Sequence, residues 1–159
     1  MGYLSTYLND HYAGSTAGVE LAKRAAGNNR DEPEFGPPLE RIATEIAEDR
    51  EELKRLMDRF EVSSNRVKAV VGWVVEQGAR LKPNLHVREY SPLSRLVELE
   101  GLLTGVNGKH SMWRALLVIV PHEARLDEAS LRRLAERAED QLGRLNDLRN
   151  SAAGIALMR

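Results

Sequence analysis

A few charged or polar side chains interrupt the apolar faces of the long helices that the sequence predicts. They come from four different helices: His11, Glu45, Asp49, Glu52, Glu100, His110 and Gln141. Metal sites in helical bundles are built in this way, because each helix projects a ligand into the shared core. Carboxylates and neutral imidazoles suit iron, manganese or zinc. The sequence therefore predicts candidate metal ligands at His11, Asp49, Glu100 and His110.

The full signature of a di-iron carboxylate site is missing. That signature needs Glu-x-x-His on two helices, so that a carboxylate and an imidazole lie on one face. The residues three positions before the four histidines are Leu8, Pro83, Asn107 and Ile119, and none of them is acidic. We therefore expect no resident cofactor, and a degenerate site for iron, manganese or zinc is the alternative.

A buried hydrogen-bond network accounts for the same polar residues without a metal. Asp49 occupies a position at which the three-and-four spacing of its helix predicts an apolar residue. A buried charge needs a partner, because its desolvation is costly. Asp49 could pair with an arginine or with Lys109, and Glu100 could pair with His11 or His110. We expect Asp49, Glu100 and His11 to be largely buried, and we favour the network over the metal.

Five helices are predicted from the three-and-four spacing of apolar residues. They cover residues 3 to about 27, 37 to 61, 66 to 81, 92 to 120, and Asp127 or Ser130 to about 155. The third is short and rich in β-branched residues, so a strand over 69–75 is an alternative. Residues 27–38 and 82–91 are predicted to be connections. The long helices thus form two pairs, separated by a stretch that contains the short helix.

Small residues recur on two of these helices. They share one face of the first helix, at Gly14, Gly18 and Ala22. There we expect them to let a neighbouring helix approach closely. Glycines also recur along the fourth helix, at Gly101, Gly105 and Gly108. A kink near 105–109 could open a groove for a small apolar ligand, so a helical adaptor with such a groove is a further functional class.

Composition and charge exclude several other classes of protein. A chain of 159 residues is expected to form one domain, residues 1–159, with a sizeable core. The 23 basic and 24 acidic residues nearly balance, which argues against a nucleic-acid or anionic-membrane partner. There is no cysteine for a thiolate nucleophile or ligand. The longest apolar runs, 69–75 and 115–120, fall far short of a membrane span, and the first residues do not resemble a secretory signal. We therefore expect a cytoplasmic protein.

An up-down helix pair, a long crossover and a second up-down pair are typical of the ferritin-like bundle. The chain resembles small uncharacterised ferritin-like bundle proteins of bacteria in "LNDH" at 8–11 and "LVELEGLLTGVNGKHSMWRAL" at 96–116. This resemblance implies an all-α, ferritin-like four-helix bundle with a shorter extra helix in the crossover. It also implies an inward-facing carboxylate at Glu100.

Strict members of the ferritin-like superfamily bind two metal ions and handle oxygen, peroxide or iron. This sequence departs from them in both Glu-x-x-His motifs. We therefore expect a non-catalytic bundle that acts through self-association, as a homo-oligomer, or through a protein partner. In it a buried polar network would take the place of a complete di-iron site.

Overall fold

The structure is a computed structural model that describes residues 2–63 and 90–158. Its long helices are α1 (Tyr3–Asn28), α2 (Gly36–Arg59), α3 (Pro92–Ile119) and α4 (Glu128–Leu157). A 3₁₀ turn, Val120–His122, follows α3, and the described ranges contain no strand. The predicted all-α class is confirmed there. The helix predicted at 66–81, its strand alternative and the connection at 82–89 lie outside the described residues.

Capping side chains set the start of α3 and of α4. The Ser91 hydroxyl accepts a hydrogen bond from the backbone N–H of Ser94, and the Ser94 hydroxyl accepts one from the N–H of Ser91. Pro92 then occupies the first turn, where its missing N–H is no loss. At α4 the Asp127 carboxylate accepts from the N–H of Ala129. Of the two predicted caps for α4, Asp127 is therefore the one used.

The helices form two hairpins, α1 with α2 and α3 with α4, each joined by a short connection. The hairpins meet along two seams. In the first seam α1 packs on α3, and Arg24 of α1 pairs with Glu98 of α3. In the second seam α2 faces α4, and the backbones of these two helices approach each other closely at few points. Side-chain ion pairs such as Asp49 with Arg137 bridge this second seam.

Apolar residues from all four helices fill the core. The largest fully buried side chains include Leu8, Ile42, Leu99, Trp113 and Leu145. Each such side chain contributes about 1.5–3 kcal/mol when it leaves water. This burial therefore dominates the stabilisation of the fold, and it holds the polar groups described below in place.

The outer faces of the helices carry ion pairs between residues three or four apart. Lys54 with Asp58 on α2 and Arg132 with Glu128 on α4 are examples. Such exposed pairs contribute little to stability. Within residues 2–63 and 90–158, no helix has both the length and the apolar character needed to cross a membrane.

Candidate functional site

Asp49 of α2 is a buried carboxylate, 1% exposed, and both of its oxygens are occupied. Oδ2 accepts hydrogen bonds from the ammonium of Lys109 on α3 and from the amide of Gln141 on α4. Oδ1 accepts one from the guanidinium of Arg137 on α4, which also pairs with Glu48. The pairing of Asp49 with Lys109 and with an arginine is one that the sequence predicts, and the structure confirms it.

Gln141 extends this network across the α2–α4 seam. Its side chain is fully buried, and its Oε1 accepts a hydrogen bond of 2.6 Å from Lys109 Nζ. Its Nε2 donates to Glu45 Oε2 at 3.0 Å, and Arg144 donates to the same oxygen. A single connected network therefore ties α2, α3 and α4 together, and each of its buried carboxylates has a cation beside it.

Burial and pairing shift the pKa values within the network in opposite directions. Burial lowers the pKa of the Lys109 ammonium below its ordinary value, and the Asp49 carboxylate opposes that shift. Burial alone would raise the pKa of the Glu45 carboxyl. Hydrogen bonds from Arg144 and Gln141 outweigh this effect, and the pKa of the Glu45 carboxyl therefore lies below its ordinary value. The network thus keeps Glu45 ionised.

Glu100 is exposed, so the prediction that it is buried is wrong. The reason is the phase of α3, an uninterrupted helix in which successive side chains are about 100° apart. Leu99, Leu102 and Val106 define the buried face, which turns Glu100 toward solvent. Its hydrogen-bonding role within the helix is through its backbone carbonyl, which accepts from Thr104. Glu100 therefore takes no part in the buried network.

The two candidate histidines lie on different helices and are partly buried. His11 of α1 packs edge-on against Tyr7, with 4.6 Å between the ring centroids. Burial lowers the pKa of the His11 imidazole, and the charge of Asp10 opposes that effect. The neutral form of the His11 imidazole is therefore favoured. A neutral histidine can accept a hydrogen bond or bind a metal ion.

A cavity of about 260 Å³ lies between α1, α2 and α3. Glycines from two helices line it: Gly14, Gly18, Gly101, Gly105 and Gly108. A Cβ atom added at Gly14, Gly18, Gly105 or Gly108 would meet no atom of the described residues within 4 Å. Among those residues, no neighbouring helix makes the predicted close approach at Gly14 and Gly18. Close approach occurs instead at Gly101, where a Cβ would lie 3.0 Å from Leu21 Cδ2.

The cavity brings two of the four predicted metal ligands to one place. His11 and Asp49 both line it, whereas Glu100 and His110 are not among its lining residues. In the described ranges, no three His, Asp or Glu side chains are grouped so that they could hold one metal ion. The oxygens of Asp49 already accept hydrogen bonds from cations. Metal binding by His11, Asp49, Glu100 and His110 stays a prediction.

The rest of the cavity wall is mainly apolar, with side chains such as Leu53, Leu102, Met112 and Trp113. A mainly apolar cleft with a few convergent polar groups is the usual form of a small-molecule site. A sequence signal for it existed, because glycines three or four residues apart share one helix face.

Comparisons of the chain with family models, with curated proteins and with solved structures gave no match.

Proposed function

We propose that this protein is a non-catalytic helical bundle that binds a small, mainly apolar molecule in the cavity between α1 and α3. The glycines of its wall carry this proposal. A glycine inside a helix is less stable than alanine by about 0.5–1 kcal/mol. Five of them line one cavity, and at four of the five an added Cβ would meet no described atom within 4 Å. Gly14 and Gly105 are exposed, whereas Gly18 and Gly108 are partly buried, so the space that we assign to a ligand lies beside these two.

The size of the cavity limits the ligand. An apolar cavity of about 150 Å³ is large enough to bind benzene. The volume of about 260 Å³ seen here therefore suits a molecule of roughly ten non-hydrogen atoms. Leu53 of α2 and Leu102, Val106 and Met112 of α3 would contact its apolar part.

The Asp49 network has a structural role in this proposal. It fixes α2, α3 and α4 relative to one another, and Lys109 and Asp49 form one wall of the cavity. The ferritin-like arrangement is also part of the proposal, supported by two helical hairpins joined through a long connection. Self-association is supported by exposed apolar side chains near the start of α3 and the end of α4, namely Leu93, Val97, Leu157 and Met158.

Filling the cavity from a glycine tests the proposal. Gly108→Leu adds a side chain at a residue that lines the cavity, and its Cβ would meet no described atom within 4 Å. Gly143→Leu is the matched control, since this glycine of α4 has equally open space but does not line the cavity. Both variants should fold, because leucine favours helix over glycine. We expect indole, titrated by calorimetry and by amide chemical shifts, to bind the parent and Gly143→Leu alike.

Gly108→Leu should bind indole at least about tenfold more weakly, because its side chain occupies the space that the ligand needs. Shift changes on binding should map to α1 and α3. Equal affinity in all three proteins would refute the proposal, and so would an absence of binding by the parent to indole and to every other apolar probe of this size.

A further inference from the structure

The acceptor groups in the cavity wall are already used. Asp49 is the buried carboxylate of the wall, and its oxygens accept from Lys109, Gln141 and Arg137. Its negative charge is shared between two cations. The other carboxylate of the wall, Asp10, is exposed to solvent. The described part of the wall therefore offers a ligand no buried, unpaired anion.

Donor groups in the same wall are left over. The Lys109 ammonium carries three hydrogens. Asp49 and Gln141 take two of them, and no described residue accepts the third. Trp113 is 1% exposed, and its indole Nε1 has no hydrogen-bond partner among the described residues. The Trp113 N–H is the buried one of the two donors, whereas the Lys109 side chain is 14% exposed and lines the cavity.

The two donors are neighbours. Lys109 and Trp113 are four residues apart on α3, so their side chains lie on the same face, about 5–6 Å apart at the Cβ atoms. Both residues line the cavity. A carboxylate placed against this face can accept from Lys109, whose side chain is partly exposed, whereas the Nε1 atom of Trp113 is itself buried.

We infer that the ligand is a small carboxylic acid whose apolar body has an aromatic or branched aliphatic shape. This inference rests on the proposed ligand-binding function. The carboxylate accepts a hydrogen bond from Lys109 Nζ. The body lies against the glycines of α1 and α3 and against the apolar side chains of the wall.

Charge favours a carboxylate over a neutral carbonyl or a cationic ligand. Arg50 also lines the cavity, stacked over the Tyr12 ring at 4.6 Å, so two cations face the space. Hydrogen bonds to an ionised acceptor are roughly twice as strong as those between neutral groups. A cationic ligand would meet Lys109 and Arg50, and the carboxylate of the wall that lies outside the Asp49 network, Asp10, is exposed to solvent.

Two probes of equal size test whether the cavity prefers an acid, separately from whether it binds ligands at all. Phenylacetate and phenylacetamide differ in charge and in one acceptor oxygen, and each has about ten non-hydrogen atoms, the number that suits the cavity. We expect the parent protein to bind phenylacetate at least about tenfold more tightly by calorimetry at neutral pH. Lys109→Met should weaken the binding of phenylacetate more than that of phenylacetamide, and so remove this preference. Lys109→Arg should keep the preference, and Lys54→Met, at an exposed position outside the cavity, should not alter it.

The comparison in the parent protein decides the inference even where a variant does not fold. If both probes bind the parent equally and Gly108→Leu weakens both, the cavity binds ligands but not as an acid site, and the inference is overturned. If neither probe binds and indole also fails, the proposed function fails with it. A preference for phenylacetate that persists in Lys109→Met would place the carboxylate elsewhere and would also overturn the inference.

Discussion

A single buried carboxylate, Asp49, organises the polar part of the core. Lys109 and Arg137 neutralise it, and Gln141 connects it to Glu45. In a buried network of this kind the loss of one charge leaves the opposite charges without a partner, and that loss outweighs the net value of the pair. The residue therefore matters more for what it prevents, a largely buried Lys109 ammonium without a counter-charge, than for the attraction that it supplies.

Replacing Asp49 should be far more destabilising than replacing Glu100. Asp49→Ala leaves Lys109 and Arg137 without their shared counter-charge, so we expect a loss of about 3–5 kcal/mol in the free energy of unfolding. Glu100→Ala should change it by no more than about 0.5 kcal/mol, because the side chain is exposed. Urea melts of the two variants measure both values. Equal losses in the two variants would contradict this assignment of roles.

The different outcomes for Asp49 and Glu100 have a physical cause in their helices. The buried face of α2 is a narrow apolar stripe, so a polar residue within it can be recognised from spacing alone. The sequence of α3 is apolar on more than one face, so spacing does not determine which face is buried. The contact with α4 decides it, and that contact involves residues distant in the sequence. Glu100 could therefore not be placed from the sequence.

At the scale of the helices, the sequence predicts the described elements well. The bounds of α1 to α4 lie within about two residues of the predicted ones. Prolines mark the starts of α2 and α3, and capping side chains mark those of α3 and α4. The cavity could not be predicted in the same way. A row of glycines is compatible with close helix packing and with open space, and the distance between α1 and α3 decides between the two. That distance depends on the whole core.

Alanine substitutions along α3 test whether the glycines are kept for space. Gly105→Ala should raise the free energy of unfolding by about 0.5–1 kcal/mol, because alanine favours helix and its Cβ would meet no described atom within 4 Å. Gly101→Ala should gain less or nothing, since its Cβ would lie 3.0 Å from Leu21 Cδ2. Thermal and urea melts provide the comparison. A loss of stability in Gly105→Ala would mean that this glycine is needed for packing, and it would weaken the case for a ligand cavity.

At the scale of the whole molecule, the two seams between the hairpins differ in character. The α1–α3 seam contains the glycine-lined cavity, and the α2–α4 seam is bridged by a network of ion pairs and amide hydrogen bonds. A ligand in the cavity would therefore add contacts where packing between the hairpins is incomplete. In the charged seam the carboxylates of Asp49 and Glu45 already have arginine partners.

Metal titration of the whole protein distinguishes the network from a metal centre. A metal that binds only the folded state at a hundredfold excess over Kd adds about 2.7 kcal/mol, which corresponds to a rise in Tm of roughly 5–10 °C for a chain of this size. A network of protein groups has no such dependence. We expect Tm to stay the same within error after chelation and after addition of Fe²⁺, Mn²⁺ or Zn²⁺, because Lys109 and Arg137 already occupy the oxygens of Asp49. The opposite result is that one of these metals raises Tm by several degrees in the parent and in His122→Ala, a variant at an exposed position, but not in His11→Ala. That result would show that His11 is a metal ligand. The cavity beside it would then provide the space for the metal and its remaining ligands.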